Sequence, residues 1–543
     1  MKTLFSASEL TGLPNLTRDW LRSADPALRS LLPLPRPRGA RTQPLPDGRA
    51  RPWEPLLAAL ARRNTALGNP RSEQLVAKLR DGAVAVIAGQ QVGLFGGPLL
   101  TLYKALEAVR ISREIEAGGT PAVPLFWMAS EDHDLAEVLE ARVRAGGGVR
   151  KFEIPESARG NRKPVGALTI GPGPSDFLKQ HDIEIPASLL AALEPERSFS
   201  DSFAAILLAA LGEREILLVD PAMPEAKWSL SDFFARAFRG IQQMQQLLAE
   251  REDQIGAAGY DLQVVHRPGQ CHVFSLENGD RLPLDVFDDG RIGVRDGDPR
   301  ERRAPEEWAR LAEEHPDRLS PAVLLRPAAA SRLFPQAVAV LGPSEVAYWA
   351  QALSLFPLFG STPPDLAPRP HVFLLEPASR RLLEKVGVGV NELLGGTDAV
   401  LAHLVQRETG GPLADFRSKI VGLRHHLVEA ENAMVAIDPT LRGFYAHAAD
   451  KITLQLNALV RKGEEAWARR DEIRSRQVDR LTSMLAPEGI PQERHDPLLE
   501  WVIRSPGFGD SVWEGMVDAV EGGVIGIELG RAADEEQGPK SGV

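Results

Sequence analysis

The chain has 543 residues, 43% of them hydrophobic and 25% charged, with a formal net charge of −11. That is the composition of a globular protein with room for roughly two to four domains, and its acidic balance argues against a nucleic-acid surface, which needs a concentrated basic face. Its single cysteine, Cys271, excludes an internal disulfide, a Cys-based zinc cluster and a CxxC redox pair.

The opening "MKTLFSASELTGLPNL" lacks the apolar core of a signal peptide, and no segment approaches a membrane span, so a cytoplasmic location is expected. Residues 15–80 read as helical, interrupted by the proline-rich "LLPLPRPRGARTQPLP". Short apolar runs then alternate with helical patterns: 83–88, 123–129, 215–220, 322–327, 337–342 and 371–376. Each is apolar throughout, as in a strand covered on both faces, and the helices between them suggest crossovers in a mainly parallel sheet. Segments 136–200 and 260–300 are richer in Gly, Pro and alternating polar positions, which marks them as insertions. Cys271, on the run "CHVF", reads as a small buried hydrophobe. The layout expected is a core over 1–380 and a helical domain over 381–543, with a coiled-coil hairpin near 415–485. Ile420, Leu423, Leu427, Ala430, Met434 and Ile437 form one heptad seam, and Tyr445, Ala449, Ile452, Leu456 and Leu459 a second, with "DPT" between them. The charged run that follows favours a projecting arm; two helices packed on the core are the alternative.

Three stretches carry the candidate site. "VIAGQQVGLFGGPLLTLYKALEAV", residues 86–109, is a strand, a glycine turn and a helix, yet Gly89, Gly93, Gly96 and Gly97 match neither the dinucleotide fingerprint nor a P-loop. Pro98 suits a first helical turn, whose N–H groups could meet an anion, and Gln90 and Gln91 add donors and acceptors. A tight connection with glycines serving only geometry is the alternative. Lys104 lies two turns into the helix, at the edge of reach. Next, "VPLFWMASEDHD" ends in Glu131, Asp132, His133 and Asp134 at the carboxyl end of an apolar strand, where doubly wound sheets bind ligands. Carboxylates beside an imidazole can orient it and tune its proton affinity; the spacing is too compressed for one metal ion, and no metal site is expected. A charged surface loop is the alternative. Finally, "SPAVLLRP" delivers Arg326 at the end of another apolar run, where it could clamp a carboxylate or phosphate. "AVAVLGPSEVAYWAQALSLF" repeats strand, glycine, proline and helix, with Ser344 as expected N-cap, Glu345 and Tyr348 in the first turns and Trp349 in helix packing.

The strings "AGQQVGLFGGPLLTLYKALEAV", "PLFWMASEDHDLAEV", "SPAVLLRP" and "GPSEVAYWAQ", with "IPQER" at 490–494, resemble the corresponding segments of the BshC family, the cysteine-adding enzymes of bacillithiol biosynthesis. The resemblance spans most of the chain and is strongest over 84–138 and 320–352. It implies an α/β fold: a Rossmann-like parallel sheet core resembling class I nucleotidylyl transferases, inserted connective segments and a C-terminal α-helical coiled-coil arm that makes a homodimer. It also implies a ligase that joins cysteine to glucosaminyl-malate as the last step to the thiol, with no nucleic-acid or membrane partner. Amide formation from a free carboxylate needs activation, which leaves room for ATP or ADP with its Mg²⁺. The "HIGH", "KMSKS" and Walker strings are absent, and no zinc is expected. On this reading the 89–98 loop holds phosphate or a carboxylate, and Arg326 and the Ser344 helix hold the malate carboxylates. His133, placed by Asp132 or Asp134, takes a proton from the sugar ammonium; a purely orienting role is the alternative. A nucleotidylyl transferase-like enzyme acting on another amine, or a non-catalytic scaffold, is the alternative.

Overall fold

A computed structural model describes the chain except residues 1, 11, 24–25, 41–52, 134–137, 139, 146–147, 155–161, 408–411, 471, 518–522 and 530–543. Among the described residues no helix is long and apolar enough to cross a membrane. The chain forms two compact units, one of Met1–Phe373 with Glu493–Val543 and one of Leu374–Gln492. The boundary expected at 380 therefore falls a few residues earlier. The segment from 493 onward returns to the first unit instead of completing a helical domain, because it supplies a strand and buried side chains there.

The centre of the first unit is a five-stranded parallel sheet. Its strands are β1 (Val84–Gln90), β2 (Ala122–Met128), β3 (Leu217–Val219), β4 (Gln336–Leu341) and β5 (Asp365–Pro368), in the spatial order β5-β4-β1-β2-β3. Register runs from Val84↔Ala122 to Gln90↔Met128 between β1 and β2, and through Val340↔Ala88 between β4 and β1. Every side chain of β2 and β4 is buried, which explains the uninterrupted apolar runs: helices cover both faces. Strand order reverses between β1 and β4, and such a switch point leaves a crevice at the carboxyl ends.

Three helices position the site. These are α1 (Leu100–Ala117) after β1, α2 (Arg326–Leu333) before β4, and α3 (Pro343–Ala352) after it. Two of the expected strands lie elsewhere. Residues 322–325 turn into α2, and the short strand before them, Leu319–Pro321, pairs antiparallel with Gln270–Glu277 in the second insertion. The run at 371–376 is a strand, His371–Leu375, but it belongs to a three-stranded sheet with Lys2–Ser6 and Gly523–Glu528. Both runs are apolar because they are buried, and burial does not say in which sheet. The first insertion contains an antiparallel hairpin, Glu140–Ala145 with Gly148–Glu153.

Within the second unit α4 (Pro412–Ile437) and α5 (Arg442–Arg470) form a hairpin around the Asp438 turn. Arg417 pairs with Glu464 at 2.8 Å, and the Tyr445 hydroxyl donates to the Leu427 carbonyl. Ile420, Tyr445 and Leu456 are buried, whereas Leu423, Leu459 and Ile437 are 50%, 53% and 83% exposed. The hairpin thus covers only part of the seams.

Candidate active site

A cavity of about 410 Å³ opens at the switch point, lined at the ends of β1 and β4 by Gly89, Gln90, Gln91, Leu341 and Gly342. The elements around it bring in Lys104 from α1, Asp132 from beyond β2, Arg326 from the start of α2, and Ser344, Glu345 and Tyr348 from α3. Arg369 and Arg494 complete its charged lining among the described residues.

Lys104, expected at the edge of reach, lies inside. Its side chain extends from α1 toward the sheet, placing Nζ 2.7 Å from the Gly89 carbonyl, 3.0 Å from Gln90 Oε1 and 2.5 Å from Glu345 Oε2. Burial pulls the ammonium below the usual lysine range, opposed by the charge of Glu345. Glu345 also accepts the Gly342 N–H at 2.6 Å, so one carboxylate ties the β4–α3 turn to α1. Ser344 lines the cavity from the second position of α3; the N-cap is Gly342, since Pro343 takes the first helical position. Tyr348 is half-buried in the lining, and desolvation pushes its phenol well above the usual range.

Asp132 accepts from Arg326 at 3.1 Å, from Arg281 at 3.5 Å and from Gln91 at 3.4 Å. Burial alone would raise its carboxyl, but the two guanidinium charges outweigh burial and hold it well below the usual carboxylate range. Arg326 stands at the first position of a helix rather than at a strand end, and Asp132 already engages one of its terminal nitrogens.

The other members of the acidic cluster diverge. Glu131 is buried in an ion pair with Lys227, whose ammonium also donates to the Leu319 carbonyl at 2.7 Å. His133 lies outside the main cavity and lines a smaller one of about 200 Å³ with Arg281, Arg162 and Asp296. Its Nδ1 is 2.9 Å from Arg281 Nη1 and its ring is 5.4 Å from Phe274. A guanidinium only donates, so Nδ1 accepts and is already used. The geometry thus places His133, expected to act as the base, beside Arg281 in the smaller cavity and not in the lining of the main one. Asp134 lies outside the described residues.

The glycine turn divides as well. Gly89 lines the cavity, and a Cβ there would stand 3.0 Å from the Trp127 carbonyl. Gly93, Gly96 and Gly97 lie away from it among the described lining. Gly96 has φ +81°, and a Cβ on it would come within 2.6 Å of Ile206 Cγ2. The helix N-terminus expected to meet an anion meets the protein's own chain. The Leu99 N–H donates to the Asp496 carbonyl at 2.9 Å, and the Leu498 N–H to the Gly97 carbonyl at 2.8 Å. Cys271 is buried, and burial raises its thiol far above the range of a reactive cysteine.

Sequence reasoning missed Arg369 and Arg494 as lining residues. Arg369 follows β5, a four-residue strand with no motif, and Arg494 sits in "IPQER", a string noted without a role. Their only local signal was an arginine beside proline or glutamate.

Residues 40–370 match the family model described as "Bacillithiol biosynthesis BshC, N-terminal Rossmann-like domain", and residues 372–519 match its "C-terminal coiled-coil domain". A Koribacter versatilis protein named "Putative cysteine ligase BshC" is 30% identical over 79% of this chain and 81% of its own length. Relatives of the same name from Solibacter usitatus and Symbiobacterium thermophilum are 31% and 28% identical. They cover 80% and 85% of this chain, and 83% and 87% of their own lengths.

Proposed function

The chain belongs to the BshC family of bacillithiol biosynthesis, and we propose that its switch-point cavity joins cysteine to glucosaminyl-malate through an amide bond, the last step to the thiol. The observation that carries this reading is charge. Arg326, Arg369 and Arg494 bring three guanidinium groups to the lining of the cavity, beside Asp132 and the Lys104–Glu345 pair. Malate presents two carboxylates, and a cavity lined by several guanidinium groups suits such a dianion.

The sugar amine must be neutral to attack. Lys104 and Glu345 are the groups best placed to take its proton, because they share a short contact at the cavity and burial already disfavours the lysine's charge. Asp132, held as a carboxylate by two arginines, orients Arg326 rather than moving protons. Bound ATP or ADP with Mg²⁺ would supply activation of the cysteine carboxylate, and the lining cations are the groups that fit its phosphates. Any Mg²⁺ would arrive with the nucleotide, as its usual counter-ion. We also propose that the exposed apolar side chains of α4 and α5, Val421, Val428, Leu454 and Leu459 among them, pair with a second copy as a homodimer.

The test is to incubate the purified chain with glucosaminyl-malate, cysteine and ATP and to look for the thiol by mass spectrometry. A new mass equal to the two substrates less water supports the reading. No such product with any nucleotide would leave a non-catalytic scaffold.

A further inference from the structure

Gln90 and Gln91, side by side where β1 meets the glycine turn, both line the main cavity. Their backbone is held: the Ala129 N–H donates to the Gln90 carbonyl and the Gly93 N–H to the Gln91 carbonyl, each at 2.9 Å. Their side chains are held by neighbours of opposite hydrogen-bonding character. Lys104 Nζ faces three acceptors, the Gly89 carbonyl, Gln90 Oε1 and Glu345 Oε2. These take all three N–H groups of an ammonium, which only donates. The Gln90 amide therefore turns its oxygen to Lys104 and its NH₂ group away. Asp132 imposes the reverse on Gln91. Kept as a carboxylate by two arginines, Asp132 only accepts, and Gln91 Nε2 lies 3.4 Å from its Oδ2. Gln91 thus turns its oxygen away.

Among the described residues neither the Gln90 NH₂ group nor Gln91 Oε1 has a hydrogen-bond partner, and neither is sealed from solvent. Two consecutive residues so offer the cavity one free donor and one free acceptor. A ligand carboxylate only accepts, and Gln91 Oε1 would repel it; an ammonium only donates, and the Gln90 NH₂ group would repel that. A hydroxyl accepts and donates at once, so a single oxygen can serve both amides. This part of the lining differs in kind from the guanidinium groups of Arg326 and Arg369.

We infer that Gln90 and Gln91 are specificity-determining residues forming a hydroxyl subsite, which takes the sugar hydroxyl next to the amine. The inference rests on the glucosaminyl-malate reading given above. Gln90 links the two functions: its oxygen touches Lys104 while its NH₂ group holds the hydroxyl. The amine on the neighbouring ring carbon is thereby brought toward the Lys104–Glu345 pair that takes its proton. A nucleotide ribose also carries hydroxyls, and the experiment separates the two sources.

Calorimetry on the full-length chain tests it, with glucosaminyl-malate, its 3-deoxy analogue, ADP and 2′,3′-dideoxy-ADP as probes. The wild type should bind glucosaminyl-malate about 10- to 100-fold more tightly than the 3-deoxy sugar, the loss of two neutral hydrogen bonds. It should not distinguish the two nucleotides. Gln90→Glu keeps an oxygen for Lys104 but replaces the free donor with an acceptor, and should cut the sugar preference about tenfold. Gln91→Met removes the free acceptor, leaves the Lys104 contacts in place and should cut it by a similar factor. Should Gln90→Glu fail to fold, Gln91→Met carries the test. If the wild type binds both sugars alike, or the folded variants discriminate as it does, the subsite is wrong while the glucosaminyl-malate reading stands. A preference for ADP over the dideoxy nucleotide that these variants erase would overturn the assignment to the sugar. If the wild type binds no glucosaminyl-malate, that reading falls, and this inference with it.

Discussion

Asp132→Asn tests whether the site is organised by charge. The substitution keeps size and shape and removes one negative charge from between Arg326 and Arg281, which lie 3.1 and 3.5 Å away. Arg281 is almost wholly buried, with 2% of its side chain exposed, and cannot turn to water. Breaking a buried ion pair typically costs about 3–5 kcal/mol. Asp132 and Arg326 keep 20% and 18% of their side-chain exposure, so water screens part of the loss, and about 2–3 kcal/mol is expected at neutral pH. The pH dependence follows from the depressed carboxyl. Its contribution is fully present above the ordinary aspartate value of about 4 and is lost as pH falls through the lower folded value. The urea midpoint of the first unit, followed by tryptophan fluorescence, should therefore be lower for the variant at pH 7, and the gap should narrow as pH falls below about 4. A variant as stable as the wild type at pH 7, or a gap that stays constant with pH, would refute the argument.

Three further outcomes are expected. Lys104→Met should fold but lose thiol formation by about 10²- to 10⁴-fold, the usual contribution of a positioned proton acceptor, in single-turnover assays. His133→Asn should keep thiol formation within about tenfold, because Nδ1 is occupied by Arg281 and the ring lies outside the main cavity; a larger loss would return it to the chemistry. Leu454→Glu with Leu459→Glu, both exposed on one helix, should yield monomers in sedimentation without unfolding; a wild-type monomer would remove the arm's assembly role.

The parallel sheet was legible because its central strands are buried on both faces and so carry no polar alternation. The same signal could not separate β4 from 322–327, which is a turn leading into α2, or from His371–Leu375, which is buried in another sheet. Lys2–Ser6 was invisible as a strand because its partner, Gly523–Glu528, lies at the other end of the chain. In the site, adjacency in sequence misled. Glu131, Asp132 and His133 follow one another on non-helical backbone, where neighbouring side chains diverge, so one pairs with Lys227, one enters the cavity and one turns to Arg281. The glycine turn was recognisable as a turn, but what it holds, the chain at 496–498, depends on a contact some 400 residues away in sequence. Arg369 and Arg494 needed the fold itself, since only the returning segment brings them together.

The most direct measurement of the central claim is kcat/KM for thiol formation with glucosaminyl-malate against the methyl glycoside of glucosamine, which has the same amine and no carboxylate. The guanidinium groups lining the cavity predict that the malate-bearing sugar is favoured by about 10²-fold or more, from two charge-assisted contacts. Equal use of the two sugars would contradict the account.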